Sequence, residues 1–245
     1  MEIILGMIII LFAAFIQGLT SFGLSMIAVP FLIKIFPLKE IVPIIVFLAL
    51  LTNIPIIISS RKVIRFRNFG VLIIMGILFI PAGVYSLKYF SSDYLKLFFG
   101  ILITGFSLLL IFKKTFPVKH EKIGYALAGS LSGFLNGSLS LSGPPVVLFL
   151  SNQGINKNTF RANIAAYFLL LNIITIILFL ANGLLNEVVF GKIIYLALPL
   201  YIGVFAGIKA FKKMKEEVFR KIVLIILFAS GLWTTISTFI SMIKI

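Results

Sequence analysis

The sequence predicts an all-α polytopic membrane protein made of two inverted repeats. Each repeat is a broken or re-entrant helix hairpin followed by three transmembrane helices. Three observations predict this. The apolar residues fall in runs of bilayer-spanning length. Two of the runs are too long for one crossing and are interrupted by Gly, Ser, Asn and Pro. Positive charge becomes one-sided only if those two runs return to the side from which they start.

The runs come first. Hydrophobic residues make up 61% of the 245 residues and charged residues 12%, with a mean hydropathy of +1.20. A soluble domain of this composition would leave too much apolar area facing water. Eight apolar regions lie at residues 3–36, 42–60, 69–88, 95–112, 123–150, 162–181, 192–209 and 219–240, most of them about 17 to 25 residues long, the length that spans a bilayer as helix. The first run follows Met1-Glu2 rather than a basic stretch, and no small-residue cleavage site is evident after it. It is therefore expected to stay in the mature protein.

Composition also removes function classes. The net charge of +15 resides in the short linkers between apolar runs. This is the pattern of topology determinants, not of a nucleic-acid face. There is no cysteine, so disulfides, thiolate nucleophiles and Cys-ligated metals are excluded. The one histidine, His120, lies in the charged loop Lys119–Lys122. No cofactor and no metal site is expected.

The breaks come next. Region 3–36 as one helix would be about 50 Å long, well beyond the hydrocarbon core. Its middle reads Gln17-Gly18-Leu19-Thr20-Ser21-Phe22-Gly23-Leu24-Ser25. The centre of region 123–150 reads Ser132-Gly133-Phe134-Leu135-Asn136-Gly137-Ser138-Leu139-Ser140-Leu141-Ser142-Gly143-Pro144-Pro145. Such clusters inside an apolar run mark broken helices.

The two regions align at an offset of 115, with the identities Ala13/Ala128, Gly18/Gly133, Leu24/Leu139, Ser25/Ser140 and Pro30/Pro145. Downstream, Leu50-Leu51-Thr52-Asn53 matches Leu169-Leu170-Leu171-Asn172 after a small insertion. The following helix in each half carries a mid-span proline (Pro81, Pro199), read as a kink, and then a glycine (Gly83, Gly203). Two repeats result, at about 1–115 and 116–245.

Charge decides the topology. If all eight regions crossed, 10 basic residues would face one side and 12 the other. If the two broken regions are hairpins, 16 of the 22 fall on one side, a clear positive-inside bias. Each half then crosses three times, so the halves insert in opposite orientations. The basic linkers are expected in the cytoplasm and both termini outside, in a cell membrane.

Irregular backbone at membrane depth persists only where it is buried in protein or lines a wet cavity. The breaks are therefore the candidate binding site, and each opens a half-helix whose N-terminus offers N–H groups and a positive dipole end. The first contributes Gln17, Gly18, Thr20, Ser21, Gly23 and Ser25. The second contributes Ser132, Asn136, Ser138, Ser140, Ser142 and Gly143. Asn53 and Asn172 approach at the same depth. Hydroxyl and amide donors without a fixed charge suit a small oxyanion. Close packing is the competing role for any single hydroxyl. Arg161, at the start of a helix, is expected chiefly to mark topology, with attraction of an anion to the cavity mouth as a second role.

All seven acids, Glu2, Glu40, Asp93, Glu121, Glu187, Glu216 and Glu217, sit at borders or in linkers. Proton-coupled pumps usually bury a carboxylate or histidine. Any coupling must then use carbonyls and hydroxyls, or there is none and the membrane potential alone drives export.

Two four-segment halves, each opening on a break followed by proline, resemble the sulfite exporter TauE/SafE family. The likeness rests on Gly18-Leu19-Thr20-Ser21-Phe22-Gly23 with Pro30, and on Gly133 through Ser142-Gly143-Pro144-Pro145. It implies a non-enzymatic transporter of sulfite, an organosulfonate or a related sulfur oxyanion, with export as the expected direction. The implied partners are a small anion and the lipid bilayer; self-association is left open. Two other readings compete. Ser142 in Leu141-Ser142-Gly143 superficially resembles the nucleophile of an intramembrane serine hydrolase, although no buried base accompanies it. A non-transporting assembly protein would explain the packing residues but not two matched polar breaks.

Overall fold

The computed structural model describes residues 2–33, 35–63, 69–91, part of 93–108, 121–151, 153 and 155–243. The readings on Arg65, Arg67, the linker 113–120 with His120, and much of the span 95–112 lie outside the described residues. Among those described, the chain is helical with no strand. The helices are α1 Glu2–Thr20, α2 Gly23–Leu32, α3 Leu38–Ser60, α4 Gly70–Tyr89, α5 Glu121–Leu139, α6 Gly143–Ser151, α7 Lys157–Ala181, α8 Glu187–Lys212 and α9 Glu216–Ile243. Among the described residues, α1, α3, α4, α7 and α8 are long and apolar enough to cross a membrane. The chain is a multi-pass membrane protein.

The patterning inverts that of a soluble helix. On α8, Ile194 (73% exposed), Leu198 (72%), Ile202 (55%) and Phe205 (57%) form an outward stripe, while Gly203 and Gly207 face inward. Apolar surface gains nothing by leaving lipid, so helices associate through close packing of small residues. Two such contacts dominate. A Cβ built on Gly133 would lie 1.9 Å from the carbonyl oxygen of Gly76, and one on Gly83 would lie 2.1 Å from that of Phe134, so α4 and α5 touch backbone to backbone. In the same way, a Cβ on Gly207 would lie 2.1 Å from the carbonyl oxygen of Phe15, and one on Gly18 would lie 2.3 Å from that of Val204, joining α1 to α8. Leu72, Gly76 and Ile80 follow Gly129, Gly133 and Gly137 in ascending order, so α4 and α5 run parallel. By the same ordering, α1 and α8 are parallel. Each broken helix thus packs on the fourth helix of the other half.

Both broken regions fold back. Gly6 near the start of α1 lies against Leu32 at the end of α2 and against Leu196. Gly124 near the start of α5 lies against Phe149 near the end of α6. The two hairpins open at opposite ends of the molecule. The α5–α6 hairpin opens where Phe69 meets Tyr125 (ring centroids 5.9 Å apart). At that end Ser60, Arg61, Lys157 and Lys212 surround one recess, and we call it the basic end. The α1–α2 hairpin opens at the far end, where Lys192 pairs with Glu40 and Lys39 donates to the carbonyl of Lys88 (2.9 Å).

The tips meet at mid-molecule between α3 and α7. Ser25 Oγ lies 3.2 Å from Ser140 Oγ, and Gly143 packs on the Phe22 side chain. The turns are tight: Ser21 (φ 74°) and Ser140 (φ 58°) adopt the left-handed conformation, which costs a non-glycine residue of order 1 kcal/mol or more. These two serines are 119 residues apart, not 115. The same spacing relates Gln17 to Asn136, Asn53 to Asn172, and Phe15 to Phe134 in the backbone contacts. The five hairpin identities lie 115 apart, the spacing that also separates the touching Ser25 and Ser140. At a spacing of 119 only Gly18 of those five residues keeps an identity, with Gly137.

Candidate functional site

Where the tips meet they enclose a small cavity. Gln17, Ser25, Asn53, Asn136, Ser140, Ser142, Gly143 and Asn172 line it, with Phe22, Met26, Ala49, Leu141 and Phe168 as its apolar walls. Its volume is about 10 Å³, near the minimum that holds one water. The structure is thus closed around a polar centre.

The polar groups are largely committed to one another. Gln17 Nε2 donates to Asn53 Oδ1 (3.2 Å) and to the carbonyl of Ser21 (3.1 Å). Gln17 Oε1 accepts from Leu24 N–H (3.0 Å). One side chain therefore ties the last turn of α1, the first turn of α2 and the middle of α3 together. Asn136 Nδ2 donates to Thr175 Oγ1 (2.8 Å). Ser132 Oγ donates to the carbonyl of Ser142 (2.8 Å) and so braces the second break. Asn53 is fully buried, yet its Nδ2 has no partner. An amide donor buried without a partner costs about 1–3 kcal/mol, and this one belongs to a side chain lining the cavity.

The helix N-termini offer less than their sequence promises. The Leu24 N–H is occupied by Gln17, and Pro144 and Pro145 at the start of α6 have no N–H to give. Donors to a bound anion would come mainly from side-chain amides and hydroxyls.

Six candidates stand outside the cavity, the bracing Ser132 among them. Thr20 Oγ1 donates back to the carbonyl of Ile16 (2.8 Å), and Ser138 Oγ to that of Phe134 (2.8 Å). Gly18 packs on Val204 and Gly23 on Ile16. Ser21 holds the turn with its Oγ buried and unpartnered. These positions shape the breaks.

Sequence reasoning undervalued Arg161. It is 2% exposed, and its Nη2 donates to the carbonyl of Gly18 at the tip of α1 (2.6 Å). The signal was present: a cation at the fifth position of α7, followed by twenty residues without a charge to the end of the helix. The apolar walls carried no signal, because Ala49 and Phe168 look like any other membrane-helix residues.

The family model "Sulfite exporter TauE/SafE" matches residues 6–234 of the chain. No curated protein and no solved structure gives a match. A match over nearly the whole length shows the family: the chain belongs to the sulfite exporter TauE/SafE family, whose members are membrane transporters of sulfur anions and not enzymes.

Proposed function

We propose, with membership of that family as the premise, that this protein exports sulfite, an organosulfonate or a related sulfur oxyanion across the cytoplasmic membrane. We assign the binding site to the cavity between the two hairpin tips. The observation that carries this reading is the convergence of eight polar or glycine residues from both breaks, α3 and α7 on one buried volume. Oxygen atoms of an anion replace lost hydration with hydrogen bonds, and neutral amide and hydroxyl donors supply them without a permanent charge in the hydrocarbon region. The cavity has no room for a three-oxygen anion as it stands. The structure therefore fits a closed intermediate of alternating access, in which the two hairpins move against each other.

The halves act as inverted repeats, about 1–115 and 116–245, with the basic end in the cytoplasm and both termini outside. The opposite directions in which the two hairpins open support this. Labelling checks it. Asn158 and Asn186 are exposed near opposite ends, and the chain has no cysteine background. Asn158→Cys should react with an impermeant maleimide only from the cytoplasm, and Asn186→Cys only from outside. Losing the Asn186 cap, which accepts from Val189 N–H, costs about 1 kcal/mol and should be tolerated. Reaction of both from the same face would refute the arrangement.

Flux into and out of proteoliposomes tests the substrate and direction. Radiolabelled sulfite or a sulfonate should move in response to membrane potential alone, at about 2.3 kcal/mol per charge per 100 mV. An obligatory proton or sodium stoichiometry would exclude the uncoupled mechanism. Absence of flux for sulfite, sulfate, thiosulfate and sulfonates alike would exclude the transporter reading.

A further inference from the structure

Arg161 has no carboxylate within ion-pairing distance among the described residues. Its partners are neutral: the Gly18 carbonyl (2.6 Å), a long contact from Nη1 to Ser59 Oγ (3.4 Å), and the face of the Phe211 ring 4.4 Å away. Its Nε is buried without a partner. A guanidinium is a planar fork built for two oxygens at once. Here the fork is half used, and leaving a buried charge without an anion is costly. On one side Arg161 borders an open vestibule of about 540 Å³ at the basic end, with Arg61, Lys157 and Lys212 on its walls. On the other it holds the tip of the α1–α2 hairpin.

The Gly18 carbonyl is well suited to being released. It lies in the last turn of α1, where helical partners run out. The Phe22 N–H, which could otherwise reach it, instead contacts Thr20 Oγ1 (3.4 Å). The next residue back, Gln17, clamps the tip to Asn53 and to α2. A shift of Gly18 would therefore pull on the residues that close the central cavity.

We propose that the vestibule is an oxyanion-binding antechamber and that Arg161 is its latch. An oxyanion arriving from the basic end takes the guanidinium fork in place of the Gly18 carbonyl, which frees the α1–α2 tip and opens the central cavity. This rests on the transporter reading above and adds a second site, the class of ligand that fills it and the bond it displaces.

The test uses the full chain in proteoliposomes with Ala49→Cys as a reporter, since Ala49 lines the cavity without supplying a polar group. The probes are methanesulfonate and sulfate, two oxyanions inert to maleimides. In the Arg161 background, labelling should be slow and should rise severalfold when either anion is added at the basic end. With Arg161→Gln, labelling should be fast and independent of the anion. With Arg161→Lys, which keeps the charge and loses the fork, the half-maximal anion concentration should rise about tenfold. Anion-independent labelling in the Arg161 background would overturn the latch, as would an Arg161→Gln response identical to the parent's. If Arg161→Gln does not insert, Arg161→Lys decides: an unchanged half-maximal concentration overturns the proposal, since a mere cap of α1 would alter stability and not anion dependence. Sulfur-anion flux in the same vesicles separates the two ideas, because flux without anion-sensitive labelling defeats only the latch.

Discussion

Gly133→Ala is expected to remove most of the folded protein from the membrane. A Cβ at this position would stand 1.9 Å from the Gly76 carbonyl oxygen and 2.7 Å from its carbon. Both are backbone atoms, so no rotamer change relieves the clash. The helices must move apart, and the neighbouring contacts of Gly129 with Leu72 and of Gly137 with Ile80 open with them. Overpacking in a well-packed core costs about 1–3 kcal/mol, and a rigid backbone contact belongs at or above the top of that range. Stabilities of folded proteins are commonly only about 5–15 kcal/mol, so the loss should be visible as low yield and a lower Tm in detergent. Gly191→Ala is the control. Nothing lies within 4 Å of a Cβ there, and removing a helical glycine is expected to be neutral or to stabilise by about 0.5–1 kcal/mol. Equal yield and Tm for Gly133→Ala and the parent would mean that α4 and α5 do not approach this closely.

Asn53→Leu and Asn172→Leu should abolish most transport while leaving insertion intact. Both side chains are buried and both line the central cavity. Leucine keeps nearly the same volume and removes the amide. Loss of one membrane-interior hydrogen bond costs only about 0.6–2 kcal/mol. A hydrogen bond to a charged ligand contributes about 1.5–3 kcal/mol, so transport should fall by about ten- to a hundredfold. Asn53→Leu should be the more severe of the two, because Asn53 also accepts from Gln17 and carries the free Nδ2. The readout is initial flux of radiolabelled sulfite divided by inserted protein. Parent rates from both variants at parent abundance would make the amides packing groups and displace the binding site from the hairpin tips.

Much of the architecture was legible because membrane helices obey local rules. The length of an apolar run against the bilayer thickness, and the sidedness of lysine and arginine, depend on the chain alone. They sufficed for the membrane class and for the two breaks, and the polar residues at Gln17, Ser25, Asn53, Asn136, Ser140, Ser142 and Asn172 were picked out because a polar group in such a run needs a partner. The half-helix N-termini were overestimated, since a donor already taken by Gln17 is visible only once the turn is built. Which spacing the two left-handed turns share, 119 rather than the 115 of the identities, depends on how each break folds.

Sequence by itself therefore determined that this protein is helical, lies in the membrane, breaks within Gln17–Ser25 and Ser132–Pro145, and belongs with transporters of sulfur anions. Tertiary structure decided which of the polar residues meet. Thr20 and Ser138 satisfy themselves within their own helices, whereas Gln17 reaches across 36 residues to Asn53. It also decided that Arg161 holds the carbonyl of a glycine 143 residues away. The physical reason is the same in each case. A hydroxyl, amide or guanidinium can be satisfied by its own backbone, a neighbouring helix or a ligand, and only the packing of the helices selects among them.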